Sequence, residues 1–140
     1  MNVTALETSF DLVAPRGDDL MDLFYSSLFA VAPEAKPLFA HTDMKRQKTI
    51  PLAALMVLRK SLRNLDAIVP TLHKLGACNA AYGARPEHYG LVSQVLIASL
   101  RAIAGPAWTP EYEQAWTEAF ELVAGAMMAG AEEAELAAAA

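Results

Sequence analysis

Prolines and glycines divide this chain into helix-length pieces, and no piece alternates as a strand does. The breaks are Pro15-Arg16-Gly17, Pro33, Tyr82-Gly83 followed by Pro86, and Gly105-Pro106. Between them apolar residues recur at spacings of three and four, the period of one helix face. Asn-Gly and Asp-Gly pairs, which mark tight hairpins, are missing. The expected fold class is all-α.

The pieces can be read one by one. Thr4-Ala-Leu-Glu7 has the form of a capping box, and Leu6, Phe10 and Val13 line the face that follows. A second helix is expected from Asp18 or Asp19, where acids suit the helix dipole, with Leu20, Phe24, Leu28 and Val31 inward. The segment from Pro33 to Phe39 suits a single tight turn. A long helical period runs from about Met44 to Asn64, with Leu52, Leu55, Leu58 and Leu62 prominent. Another runs from Asp66 or Pro70 to Tyr82, with Gly83 as a left-handed stop. Pro86 opens the next helix, which carries Tyr89, Val92, Leu96, Leu100 and Ile103. Thr109 caps a last helix that begins at Pro110 and runs through Trp116, Phe120, Val123 and Met127. About six long helices and one short turn result, too unequal for a simple four-helix bundle. Residues 1–130 read as one domain and 131–140 as an alanine-rich tail.

Apolar residues form 54% of the chain, enough for one substantial core. The net charge of −5 argues against a nucleic-acid partner, since phosphate binding needs a basic face. Cys78 is the single cysteine, which excludes an intrachain disulfide and a cysteine metal cluster. The N-terminal stretch has no basic segment before an apolar run, and no continuous apolar run reaches the ~18 residues of a membrane span. No membrane partner and a cytoplasmic location are expected. There is no nucleophile elbow, no phosphate-cradling Gly-rich loop and no HExxH, so no catalytic residue is assigned.

Three stretches together resemble the globin family, in particular bacterial single-domain globins and the globin domain of flavohaemoglobins. The first is Phe24-Tyr25-x-x-Leu28-Phe29-x-x-x-Pro33-x-x-x-Pro37-Leu38-Phe39, and the second is Asp43-Met44-Lys45-Arg46-Gln47. The third is Leu75-Gly76-x-x-Asn79-x-x-Tyr82-Gly83-x-x-Pro86-Glu87-His88-Tyr89, followed by Trp108-Thr109-Pro110-Glu111 and Ala115-Trp116-x-x-Ala119-Phe120. The resemblance implies helices crossing around one flat pocket, with haem as the cofactor and a diatomic gas such as oxygen or nitric oxide as the ligand. By the same resemblance Phe39 stacks on haem, Tyr25 is the distal tyrosine, and Gln47 is the distal residue of the long helix. Arg85 and His88 are candidates for a haem propionate. Tyr82, which closes the helix carrying position 79, and Tyr89, the proximal tyrosine of flavohaemoglobins, complete the expected pocket.

The sequence departs from the family pattern inside that pocket. The iron-ligating histidine falls on Asn79, a neutral amide whose carbonyl suits hard cations. Pro51 stands four residues after Gln47, where its ring would clash with the Gln47 carbonyl of a regular helix. Either the helix kinks there, or it starts late, with Thr49 as cap and Pro51 in its first turn. Both displace Gln47 from its usual aim. Ile50 occupies a place where relatives carry a cation for a propionate, and the flavohaemoglobin glutamate near the chain end falls near Ala131, one residue from Glu132. His73 and Cys78 are the alternative metal ligands. His73 lies about 240° around an ideal helix from position 79, and Cys78 about 100°. No flavin or nicotinamide cofactor is expected. The alternative reading is a haem-free globin-fold module, sensory or protein-binding, whose pocket takes a small apolar ligand. A protein partner or a homodimer is left open.

Overall fold

A computed structural model describes residues 2–81 and 86–139, without the side chains of residues 38, 79–81, 86, 87 and 139. Within them the chain folds as α1 (Val3–Val13), α2 (Gly17–Val31), α3 (Met44–Gln47), α4 (Thr49–Ser61), α5 (Val69–Ala81), α6 (Pro86–Ala104) and α7 (Pro110–Ala139). Short 3-10 turns occupy Ala14–Arg16, Pro33–Phe39, Leu65–Ile68 and Gly105–Ala107. No strand occurs among the described residues. Six of the helices are long, and α3 is a single turn.

The punctuation acts largely as its chemistry demands. Pro15 and Pro33 sit in 3-10 turns that separate helices. Gly105 turns the chain at φ +60°, a conformation that costs an L side chain roughly 1–2 kcal/mol. Thr109 Oγ1 accepts from the Tyr112 amide at 3.2 Å and so caps α7 as expected. The cap of α1 differs from expectation. Asn2, not Thr4, accepts an end amide, that of Ala5 at 3.1 Å. Glu7 is taken instead by two arginines, Arg59 of α4 at 3.2 Å and Arg63 just past its end at 2.7 Å. A charge-assisted pair outcompetes the weaker return bond of a capping box.

The apolar faces meet in one core. Leu6, Val13, Leu20, Met21 and Leu100 are almost fully buried, and Leu55, Leu58, Leu62, Leu96, Trp116 and Phe120 join them. Val31, expected inward, is 62% exposed, because α2 ends there and the chain turns away before Pro33. Helix α6 crosses α2 and α1, while α7 covers α1, α6 and α5. The stretch His88–Ala107, with a mean hydropathy of 1.3, is long and apolar enough to cross a membrane. It passes on its average and not as a continuous apolar run. Ser93, Gln94 and Ser99 interrupt the apolar run without lowering its average enough, and Val95, Leu96 and Leu100 belong to the core.

Helices α5 and α7 run antiparallel with their backbones in direct opposition. A Cβ at Gly76 would overlap the Met127 backbone, and a Cβ at Gly130 would overlap the His73 backbone. Glycine is required at both levels because no atom fits between the chains.

Candidate functional site: a buried tyrosine–glutamine pair

The site begins with the aromatic content of α2. Tyr25 is 4% exposed and packs edge-on against Phe24, with ring centroids 5.0 Å apart. The turn Pro33–Phe39 then folds Phe39 back, with its ring 5.9 Å from Tyr25 and 5.6 Å from Phe29. Phe29 and Phe39, one on α2 and one on the turn, wall the phenol of Tyr25.

The break at Pro51 takes the late-start form. Helix α4 begins at Thr49, so Pro51 lies in its first turn, where an amide has no partner within the helix and its missing N–H costs nothing. The capping roles differ from expectation: Lys48 is the residue before the helix, and the Thr49 hydroxyl donates to the Arg46 carbonyl at 2.6 Å. The residues upstream form a turn of their own, α3, capped by Asp43, whose carboxylate accepts from the Lys45 amide at 3.1 Å.

Gln47, at the end of the separately anchored α3, meets Tyr25. Its Nε2 donates to the Tyr25 hydroxyl at 3.2 Å. Burial pushes the Tyr25 phenol above its ordinary ionisation range, opposed by the Gln47 hydrogen bond and then by the Lys48 charge. The hydroxyl therefore keeps its proton at neutral pH. Gln47 uses one lone pair of that oxygen, and among the described residues no acceptor receives the phenolic proton.

The other expected site residues are more dispersed. Pro51 is half-buried at the start of α4, and Ile50 beside it is 54% exposed. His73 faces α7, its Nδ1 3.6 Å from the Glu133 carboxylate. Cys78 is exposed. His88 is exposed at the start of α6, and Tyr89 lines a surface groove of about 400 Å³ between α6 and α7, with Phe120 and Met128. Tyr82, Gly83 and Arg85 lie outside the described residues, as does the side chain of Asn79. Sequence reasoning missed the ion pair beside the dyad, Lys48 Nζ to Asp22 Oδ1 at 3.0 Å. The signal was present: Asp22 precedes Tyr25 by one helical turn, and Lys48 follows Gln47 directly.

The chain is similar to the flavohemoproteins of Bacillus subtilis, at 26% identity over 128 residues, and of Vibrio cholerae, at 29% over 125. These matches cover 90% and 88% of this chain but 32% of each relative, so the chain spans about a third of the length of the curated relatives it matches. Among solved structures, a bacterial globin from Campylobacter jejuni superposes with a TM-score of 0.81 at 21% identity, covering 94% of both chains. An engineered carbene transferase from Rhodothermus marinus superposes with a TM-score of 0.80 at 22% identity, covering 97% of both. These two likenesses establish the fold, seen here as helices packed around one core with an aromatic corner under Tyr25. The family model for Globin matches residues 22–127, from the α2 helix that carries Tyr25 to the α7 residue that meets Gly76, and the chain belongs to the globin family.

Proposed function

We propose that this globin binds haem and, through it, a diatomic gas such as oxygen or nitric oxide, with Tyr25 and Gln47 holding the gas on the distal side. The observation that carries the reading is the buried Tyr25 hydroxyl, which accepts from Gln47 and has its own proton still to place. A buried donor left without an acceptor costs about 1–3 kcal/mol. An acceptor atom entering beside Tyr25, against the rings of Phe29 and Phe39, relieves that cost. When bound, haem supplies an iron that takes a diatomic gas as a ligand.

The chain's donors fit the gas-facing side better than the metal. Asn79 stands where the family's histidine falls, and an amide oxygen is a poor donor to haem iron. His73 is turned to Glu133 on α7, and Cys78 is exposed. The grip on haem therefore rests on the pocket walls more than on a metal bond, and a reversible, weak association is expected.

Absorption spectra after hemin addition and desalting test the proposal in the wild type and in Asn79→His. The expected result is a faint Soret band in the wild type and a strong retained band in the variant. A strong band in the wild type would send the search for a metal ligand to Cys78, His73 and His88. No band in either protein would overturn haem binding and leave a haem-free module that acts through a protein partner.

A further inference from the structure

Two polar contacts join α2 to the segment 43–48, and among the described residues they are the only hydrogen bond and ion pair that do so. They sit one turn apart on α2, since Asp22 and Tyr25 are related as i and i+3 and share a face. The inner contact is the Gln47–Tyr25 hydrogen bond, on a tyrosine that is 4% exposed. The outer contact is the Lys48–Asp22 ion pair, whose side chains are 34% and 65% exposed. The ion pair thus lies on the solvent side of the hydrogen bond.

The segment needs such an anchor. Helix α3 is four residues long, and a helix of one turn does not persist on its own in water. Lys48 is also the junction where α3 stops and α4 starts. Met44 adds a partly buried apolar contact with the core, but it lies at the far end of α3. At the near end the side chain of Gln47 is a free rotor whose amide meets Tyr25 only if the Lys48 backbone is held close to α2.

We infer that Lys48 is a positioning residue for the distal pair. Clamped on Asp22, it holds the end of α3 against α2 and so keeps the Gln47 amide on the Tyr25 oxygen, which leaves the phenolic proton for the ligand. This role rests on the reading of Tyr25 and Gln47 as the gas-facing pair. An exposed ion pair is weak and screened by salt, so the clamp favours the engaged state by up to about fivefold and loosens as ionic strength rises.

The test is NMR of the protein as isolated, without hemin, following the Gln47 side-chain amide and the backbone amides of residues 44–48. Tyr25→Phe defines the position of the Gln47 signal when its partner oxygen is gone. Lys48→Met and Asp22→Asn are expected to move the signal part of the way to that position and to speed exchange of the segment's amides by up to about fivefold. High salt should do the same to the wild type. Lys48→Arg and the charge swap Asp22→Lys with Lys48→Glu should restore the wild-type signal, which a merely structural role for the lysine stem would not require. Unchanged Gln47 signals in both single variants, or a charge swap that fails to restore, would overturn the inference. The outcome is separable from the proposed function: a working clamp in a protein that retains no hemin refutes only haem binding.

Discussion

Trp116 on α7 donates its indole N–H to Ser9 Oγ on α1 at 2.8 Å, and both residues are buried. The Ser9 hydroxyl in turn donates to the Ala5 carbonyl at 2.7 Å, so one oxygen satisfies the indole and finds its own acceptor one turn back. Phe10 and Phe120 flank the indole with ring centroids 6.5 and 5.3 Å away. Ser9→Ala removes the acceptor and strands a buried N–H. The expected loss is about 1–3 kcal/mol of unfolding free energy, read from urea titrations followed by Trp fluorescence. A loss below about 0.5 kcal/mol would mean that the indole finds another acceptor.

Two glycines of α7 should respond in opposite directions to alanine. Gly125 lies inside the helix with nothing near the position of its Cβ, so Gly125→Ala should stabilise by about 0.4–1 kcal/mol. Gly130 faces the His73 backbone, so Gly130→Ala must force α5 and α7 apart and should cost about 1–3 kcal/mol or more. Paired thermal melts decide the point, and equal melting temperatures for the two variants would contradict the described crossing.

Tyr25 should make stability fall at alkaline pH. Its phenol is pushed up by burial, so the folded state holds the proton after the unfolded chain begins to lose it. The contribution is fully present below the ordinary tyrosine value of about 10 and is lost as pH rises through the higher folded value. Tyr25→Phe should therefore flatten the alkaline limb of a stability–pH curve measured by denaturant titration, leaving the neutral region nearly level.

The α1–α4 clasp acts at the other end of the scale. The Arg59 guanidinium hydrogen-bonds Asp11 and holds its carboxyl below the usual range, against a small opposing effect of burial. That contribution is present above the unfolded aspartate value of about 3.9 and disappears as pH falls through the lower folded value. The Asp11 side chain is 60% exposed, so solvent screening keeps the effect to a few tenths of a kcal/mol. Arg59→Met should shrink the difference between urea midpoints measured at about pH 5 and about pH 3.

The helical architecture was legible because each helix has a strong three-to-four period and chemical punctuation that acts locally. Gly105, Thr109 and Pro110 perform where their residue types say they should. Two local signals were outbid by tertiary ones. The return bond expected of Glu7 lost to Arg59 and Arg63, which come from 52 and 56 residues away. Val31 kept the helical period but lost its cover where the chain leaves α2. Pro51 posed a choice between a kink and a late start, and sequence alone does not weigh the anchoring of a one-turn helix by Asp43, Met44 and Lys48. Tyr25 and Gln47 were each marked by the resemblance, whereas the ion pair beside them, Lys48 with Asp22, joins residues whose types have no reason to attract notice until the fold brings them together.

The glycine-on-backbone crossing of α5 and α7 has a mechanical consequence. Packed helices ordinarily touch through side chains, which absorb small rotations by shifting rotamers. At Gly76 and Gly130 that cushion is gone, at two levels separated by three residues on each helix. Two bare contacts leave no side chain between the backbones to absorb a change in their separation. Any residue larger than glycine at either level would have to part the helix that carries position 79 from the one that carries Glu132, Glu133 and Glu135.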